Sequence, residues 1–204
     1  MAAPVPTEIR TERLLLSPPT RDDLPAILAA CRETAIREWT VVPVPYEPED
    51  AEYFLTEIID PGWATGAAYT WSIRRGGVLV GMVGIDVDDY AAGEIGYWMA
   101  PHGRGRGYMA EAVRAAVGVA FGCLDLQRLA WHAYAGNVAS AAVARSCGFR
   151  YEGLNRLGAV QRGVRRDQWT AALLDTDPRP RAGERPAAGV VESWTVPFGG
   201  RTGA

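Results

Sequence analysis

The sequence predicts a mixed α/β (α+β) domain, a mainly antiparallel central sheet flanked by helices. Three observations carry that expectation. Between residues 69 and 100, strand-like runs are separated by turn signals, which is the pattern of a meander. After Gly107 the apolar residues recur every three or four positions, the period of a helix. Two more strand-like runs then close the body. The expected order is β-α-α-β-β-β-α-β-α-β-β around one sheet.

Each element has its own signal. Residues 12–17, ERLLLS, are a short apolar run stopped by Pro18 and Pro19, a first strand. Thr20 is a suitable N-cap, and Asp23 sits where a capping box needs an acceptor. Leu24, Ile27, Leu28 and Cys31 follow at helical spacing. Three prolines between 39 and 48 exclude a regular element there. A second helix starts near Pro48 and is expected to end before Pro61. Tyr69, Trp71 and Ile73 alternate as on a strand, and Gly76-Gly77 turns the chain into the strand 78–88. The strand 94–100 comes next. Met109, Ala112, Val113, Ala116, Val117, Ala120, Phe121 and Leu124 form one face of a long helix. Residues 128–134 are a strand, 137–147 a short helix closed by Gly148, and 149–157 with 167–174 a closing strand pair. Residues 178–204 differ in composition: 178–189 are rich in Pro, Gly, Ala and Arg and are expected to be extended or mobile, with 190–200 adding a short strand or packing on the body.

Composition narrows the function. With 204 residues, 48% hydrophobic and 22% charged, the chain suits one globular domain that needs no disulfide or metal. A net charge of −3 argues against a dedicated nucleic-acid binder. No apolar run reaches the ~20 residues of a membrane span, and the first residues lack the pattern of a signal peptide, so a cytoplasmic protein is expected. All 21 basic residues are Arg, which excludes a catalytic Lys. Cys31, Cys123 and Cys147 read as core residues, and two His without suitably spaced acids give no metal site.

The chemistry concentrates in Glu94 to Ala112, EIGYWMAPHGRGRGYMAEA. A strand enters a Gly-rich turn that opens a helix. The first amides of a helix have no partner within it, and its dipole favours negative charge there. Gly105 and Gly107 let the backbone bend toward a ligand, and Arg104 and Arg106 add positive charge. The expected ligand is a phosphate or pyrophosphate. A P-loop is excluded because it needs Lys. A dinucleotide fingerprint is excluded because the turn follows a meander and not a βαβ unit.

Arg104-Gly105-Arg106-Gly107-Tyr108-Met109 resembles the acyl-CoA motif of the GNAT N-acetyltransferases. The opening TERLLL, the EIGYWMAP strand, GRGYMAEA, NVASA at 137–141, CGF and the late RRD resemble the Rim-type branch, which acetylates ribosomal-protein N-termini. The likeness spans roughly residues 7–175 with its motifs in family order, so 1–177 is taken as the acetyltransferase domain and 178–204 as an extension. Met109 stands where Gly or Ala is commoner, and Ser17 where that branch often has Arg.

The resemblance implies acetyl-CoA as co-substrate, no metal, and an amine acceptor, either a protein N-terminus or a small molecule. Nucleic acid and membrane are not expected as partners, and the chain would be a monomer or homodimer. The cleft would lie where the strand 94–100 splays from 128–134. Main-chain amides from Arg104 through Gly105, Arg106, Gly107 and Tyr108 to Met109 would hold the pyrophosphate. Main-chain groups near Trp98 and Met99, and the side chain of Asn137, would hold the pantetheine arm.

Acyl transfer to an amine needs a base, an oxyanion donor and a proton for the leaving thiolate. Glu94 is the candidate base, on one strand face with Gly96 and Trp98, although a plain surface carboxylate fits the same pattern. Asp86 and Asp88 are the next candidates. The resemblance implies that Ser140 protonates the thiolate, a role compatible with a place in the first turn of a helix capped by Asn137. The oxyanion donor would be a main-chain N–H near Met99. Trp39 and Tyr46, in irregular chain, are candidate acceptor contacts. Two rival functions remain open: a non-catalytic acyl-CoA sensor, and an aminoglycoside-type resistance enzyme using Glu47, Glu49, Asp50 and Glu52.

Overall fold

The computed structural model describes residues 4–195 and 197. Its strands are β1 (Ile9–Arg10), β2 (Leu15–Ser17), β3 (Ala68–Arg75), β4 (Val78–Val87), β5 (Ala92–Met99), β6 (Arg128–Tyr134), β7 (Arg150–Gln161) and β8 (Val164–Leu174). They form one sheet in the order β1-β2-β3-β4-β5-β6-β8-β7. β1 to β5 pair antiparallel, and so do β6, β8 and β7. The two halves join through a parallel contact of β5 with β6, Ala92 to Arg128, Gly93 to Leu129 and Glu94 to Ala130. After Glu94 the strands part.

The expected first strand, 12–17, is shortened to β2, and β1 precedes it. Thr11 donates its amide to the Leu14 carbonyl at 3.0 Å, and this turn separates the two short strands. The Thr20–Asp23 capping box forms as the sequence predicts, with Asp23 taking the Thr20 amide at 2.9 Å. It precedes a 3₁₀ turn and α1 (Leu24–Cys31). Asp23 is buried and also takes two guanidinium hydrogen bonds from Arg74, at 2.7 and 2.5 Å. Burial pushes its carboxyl pKa up, but the Arg74 and Thr20 hydrogen bonds outweigh this and hold it below the usual range.

α2 (Thr34–Trp39) occupies a stretch where no element was expected, with Glu33 as N-cap accepting the Ile36 amide at 3.1 Å. α3 (Pro48–Tyr53) runs through a π turn at Phe54–Ile59 into α4 (Asp60–Thr65), so the helix does not stop before Pro61. The π turn explains the difference. Asp60 donates to Leu55, five residues back, and Pro61 enters at the start of a new helical turn, where its missing N–H costs little.

α5 (Tyr108–Gly122) buries Met109, Ala112, Val113, Ala116, Val117 and Ala120 against Val83, Ile85 and Ile95 of the sheet. The Met109 side chain therefore goes into the core. Successive strand residues face opposite ways, and on the other face α1 and α3 cover Leu79 and Met82. α6 (Val138–Ser146) packs beside α5 and ends at Gly148, whose φ of 97° is left-handed. β7 and β8 continue well beyond the expected pair, to a two-residue turn at Arg162-Gly163 with φ of 47° and 80°.

In the C-terminal segment, α7 (Ala188–Ser193) forms where a strand was one expectation. It packs on β7, and Val190 and Trp194 are each 1% exposed. The Trp194 indole donates to the Phe149 carbonyl at 2.7 Å and meets the Trp131 ring edge-on at 5.5 Å. The part of that expected strand at 196 and 198–200 lies outside the described residues. No helix among the described residues is long and apolar enough to cross a membrane.

Candidate active site

The parting of β5 from β6 exposes main-chain polar groups. In an antiparallel ladder, residues alternate between bonding the neighbour and facing away from it. Ala100 donates to Val80 and Asp88 to Ala92, both at 2.9 Å, which fixes the phase. Glu94, Gly96 and Trp98 bond β4, while Tyr97 and Met99 turn their N–H and C=O groups into the gap. The expectation for Trp98 is corrected on this point: its main chain is engaged in the ladder, and its ring lines the gap. Met99 keeps a free N–H there, since its carbonyl accepts from Arg104 Nε at 3.0 Å.

The turn after β5 supplies the second set of donors. Gly105 and Gly107 have φ of 71° and 75°, and Gly107 is the N-cap of α5. Among the described residues, the amides of 105 to 110 donate to no protein acceptor. Six consecutive amides at a helix N-terminus make a ready cradle for a diphosphate. Arg104 departs from its expected role. Its amide closes a turn onto Pro101 at 3.3 Å, and its guanidinium is taken by Met99 and by Glu33, the latter at 2.8 Å. Arg104 also holds the Glu33 carboxyl below its usual range. It ties the cap of α2 to the end of β5, and the free amides begin one residue later. Arg13 is a member of this region that the sequence did not suggest. It donates to the Arg106 carbonyl at 3.0 Å, lies 4.9 Å above the Tyr108 ring and forks onto Glu111.

Two clefts meet at the gap. One, of about 410 Å³, is lined by the 103–110 turn, Tyr97, Trp98, Met99, Asn137, Ala139 and Ser140. The other, of about 440 Å³, is lined by Glu94, Gly96, His132, Tyr134, Val160 and Gln168. Both include Trp39, Thr40, Tyr97, Asn137 and Ser140. A ligand held on the first side therefore reaches one on the second at those residues.

Ser140 is fixed at this junction from three directions. Its amide donates to Asn137 Oδ1 at 3.2 Å, which is the N-cap of α6. Its carbonyl accepts the Tyr97 hydroxyl at 2.9 Å. Its Oγ accepts the Trp131 indole N–H at 3.1 Å, so the hydroxyl proton is the group left to donate.

On the second side, His132 Nδ1 lies 2.9 Å from Glu94 Oε2. A neutral His132 donates Nδ1–H to Glu94 and keeps Nε2 as an acceptor. The carboxylate also holds the His132 pKa above its ordinary value, helped by Glu152 and opposed by burial and Arg128. Asp86, opposite Glu94 in the ladder, is raised by burial and by the Glu94 charge. In the sequence the two histidines, His102 and His132, lack the acid spacing of a metal site, and nothing there pairs His132 with Glu94. Its pairing with Glu94 depends on the parallel register of β5 and β6, which no local pattern reports.

Trp39 lines both clefts. Tyr46 does not; it is 4% exposed in the cluster under α1 and lines neither cleft. Its segment is irregular but packs inward, anchored by Arg32 on the Tyr46 carbonyl at 2.7 Å. The carboxylates considered for a polycation are also elsewhere. Glu47 pairs with Arg32, Glu52 with Arg21, and neither cleft contains residues 47–52. Burial lifts the thiols of Cys31 and Cys147 to about 11, which keeps both as thiols at neutral pH.

Comparison with known proteins identifies the family. The model of the acetyltransferase (GNAT) domain matches residues 13–150. A candidate ribosomal N-acetyltransferase of Bacillus subtilis (strain 168), YdaF, is 35% identical over 133 residues, 62% of this chain and 72% of that protein. A candidate ribosomal-protein-serine acetyltransferase from Vibrio cholerae superposes with a TM-score of 0.74 at 25% identity, covering 84% of this chain and 99% of that one. RimL, a ribosomal L7/L12 alpha-N-protein acetyltransferase solved with coenzyme A, shares the fold with a TM-score of 0.74 at 21% identity, over 85% of this chain and 99% of that one.

Proposed function

This chain belongs to the GNAT acetyltransferase family, and from that premise we propose that it acetylates the N-terminal amine of a polypeptide by direct transfer from acetyl-CoA. It is an acetyl-CoA-dependent N-acetyltransferase; the acceptor class and the roles of individual residues are our reading. The observation that carries it is the opening of β5 beyond Glu94, with two clefts joined at Ser140.

In this reading the amides of 105–110 hold the pyrophosphate, and Tyr97 and Met99 hold the pantetheine arm as a neighbouring strand would. Asn137 caps α6 beside that arm. The acetyl carbonyl then lies beyond Met99 at the junction of the clefts, where the Tyr97 N–H is a fixed donor for the developing oxyanion, while the Tyr97 carbonyl and the Met99 N–H hold the arm. The acceptor amine enters from the second cleft. His132 Nε2 takes its proton, and Glu94 orients the ring and stabilises its charged form, so the carboxylate assists the base. The amine nitrogen bonds the carbonyl carbon, the C–S bond breaks, and Ser140 Oγ–H protonates the departing thiolate. Ser140 recovers its proton from water. A cytoplasmic location belongs to the same reading.

The test is release of free CoA thiol with a panel of amino-terminal peptides and small amines. Turnover with peptides and not with small polyamines supports the proposal. Tight acetyl-CoA binding without turnover on any amine would make the chain a sensor.

A further inference from the structure

A third cavity, open and about 680 Å³, lies beside the second cleft and is lined by Gln161, Arg162, Arg165, Arg166 and Asp167 of the β7–β8 hairpin, with Leu157, Val164 and Ala135. Their lining residues are neighbours along the strands: Val160, Gln168 and Tyr134 line the cleft, the next residues, Gln161, Asp167 and Ala135, line the cavity, and Arg166 of the cavity shares a strand face with Gln168 of the cleft.

Among the described residues the three guanidiniums contact neutral groups. Arg162 donates to the carbonyls of Arg37, Thr40 and Val42, and Arg165 to that of Leu157. Arg166 donates to Gln161 Oε1 at 2.7 Å and lies over the Tyr134 ring at 5.3 Å. Among the described residues no carboxylate pairs with any of them. Asp167, the one acid in the cavity, accepts the Leu157 amide at 2.8 Å. The chain is acidic overall, with a net charge of −3, so this concentration of unpaired positive charge is local. The opposite end of the acceptor cleft carries Glu94, with Asp86 and Glu152 nearby. The path is therefore negative where the amine enters and positive farther along.

We infer that the hairpin cavity is a subsite for a carboxylate side chain of the acceptor, which makes the preferred substrate a polypeptide with an acidic residue a few positions after its free N-terminus. This rests on the N-terminal reading above. The strands give the spacing. Thr170 of β8 is opposite His132, and Arg166 is four residues farther toward the turn. That is about 13 Å at roughly 3.3 Å per strand residue. An extended peptide covers the distance in about four residues, which places the acid at positions three to five. Gln161 and Arg162 also pin the carbonyls of 37–42 behind Trp39, so the wall of the cleft and the anion subsite are one assembly.

The experiment uses the full chain with acetyl-CoA and peptides that carry Glu, Gln or Lys at positions three to five. The Glu peptide is expected to have a kcat/KM roughly 5–10-fold above the Gln peptide, through KM, with Lys lower still. Arg166→Glu should abolish or invert that ranking, Arg166→Gln should flatten it, and added salt should compress it. Anisotropy of a labelled Glu peptide on CoA-loaded protein reads the subsite without chemistry. Failure of acetyl transfer is thus separable from failure of the subsite. Equal kcat/KM for the three peptides, or an unchanged ranking in Arg166→Glu, overturns the inference. So does competition by inorganic phosphate with no preference among peptides, which would make the cavity a small-anion pocket.

Discussion

The two sides of the β5–β6 gap are built in different ways. The side proposed for acetyl-CoA is continuous in sequence: the end of β5, the turn and the start of α5 fall within residues 97–112, and its donors are main-chain groups. The acceptor side collects side chains from α2, β5, β6 and the β7–β8 hairpin, and much of it depends on strand register. A main-chain site needs only a local conformation, which glycines specify. A side-chain site needs distant segments brought together.

The comparison predicts that the acceptor side is sensitive to chemistry and the acetyl-CoA side to backbone shape. The largest effect should come from His132. His132→Gln is expected to lower kcat by roughly 10²–10⁴-fold while acetyl-CoA affinity is retained, as read by steady-state rates and calorimetry. In the wild type, kcat/KM should rise with pH as His132 loses its proton, with the midpoint above the ordinary histidine value because Glu94 favours the charged ring. Glu94→Gln removes that support, so the midpoint should move to lower pH. A profile that does not move would separate Glu94 from the base.

Trp194 comes next. Its indole packs on Trp131, whose N–H holds Ser140 Oγ. Trp194→Ala should cost about 3–5 kcal/mol of stability by denaturant unfolding, and Trp194→Phe less. Trp131→Phe keeps most of the packing and removes the N–H. It is expected to lower kcat more than stability, whereas equal losses would mean that the indole only fills space.

On the other side, Gly107→Asp forces a side chain and a negative charge onto a left-handed residue at the mouth of the cradle, 3.5 Å from Arg13. Acetyl-CoA binding should weaken at least ~10-fold by calorimetry, with kcat at saturation changed less. The smallest effect is Asn137→Ala, which loses the α6 cap and about 1 kcal/mol of stability. A second consequence, a looser Ser140, should appear as a lower kcat.

What could be read in the sequence follows the same division. The meander, the Gly-rich turn and α5 announce themselves through alternation, glycine and helical period within short windows. Asn137 and Thr20 did so as caps. The π turn before Pro61 was hidden because proline normally stops a helix, and here a change of hydrogen-bonding period accommodates it. The long hairpin was hidden because a bulge after Asn155 interrupts its alternation. Tyr46 was misplaced because irregular chain between prolines looked like surface, when Arg32 fastens it inward. The Glu94–His132 pair and the arginines of the hairpin exist only in the assembled sheet.

The central claim is that the amides of 105–110 are reserved for the diphosphate of acetyl-CoA. Hydrogen exchange at single-residue resolution, with and without saturating acetyl-CoA, measures those amides directly. Exchange across 105–110 and at Tyr97 and Met99 is expected to slow by at least ~10-fold on binding, while the hairpin turn at Arg162-Gly163 is unaffected. Saturation that leaves 105–110 exchanging at the free rate would contradict it.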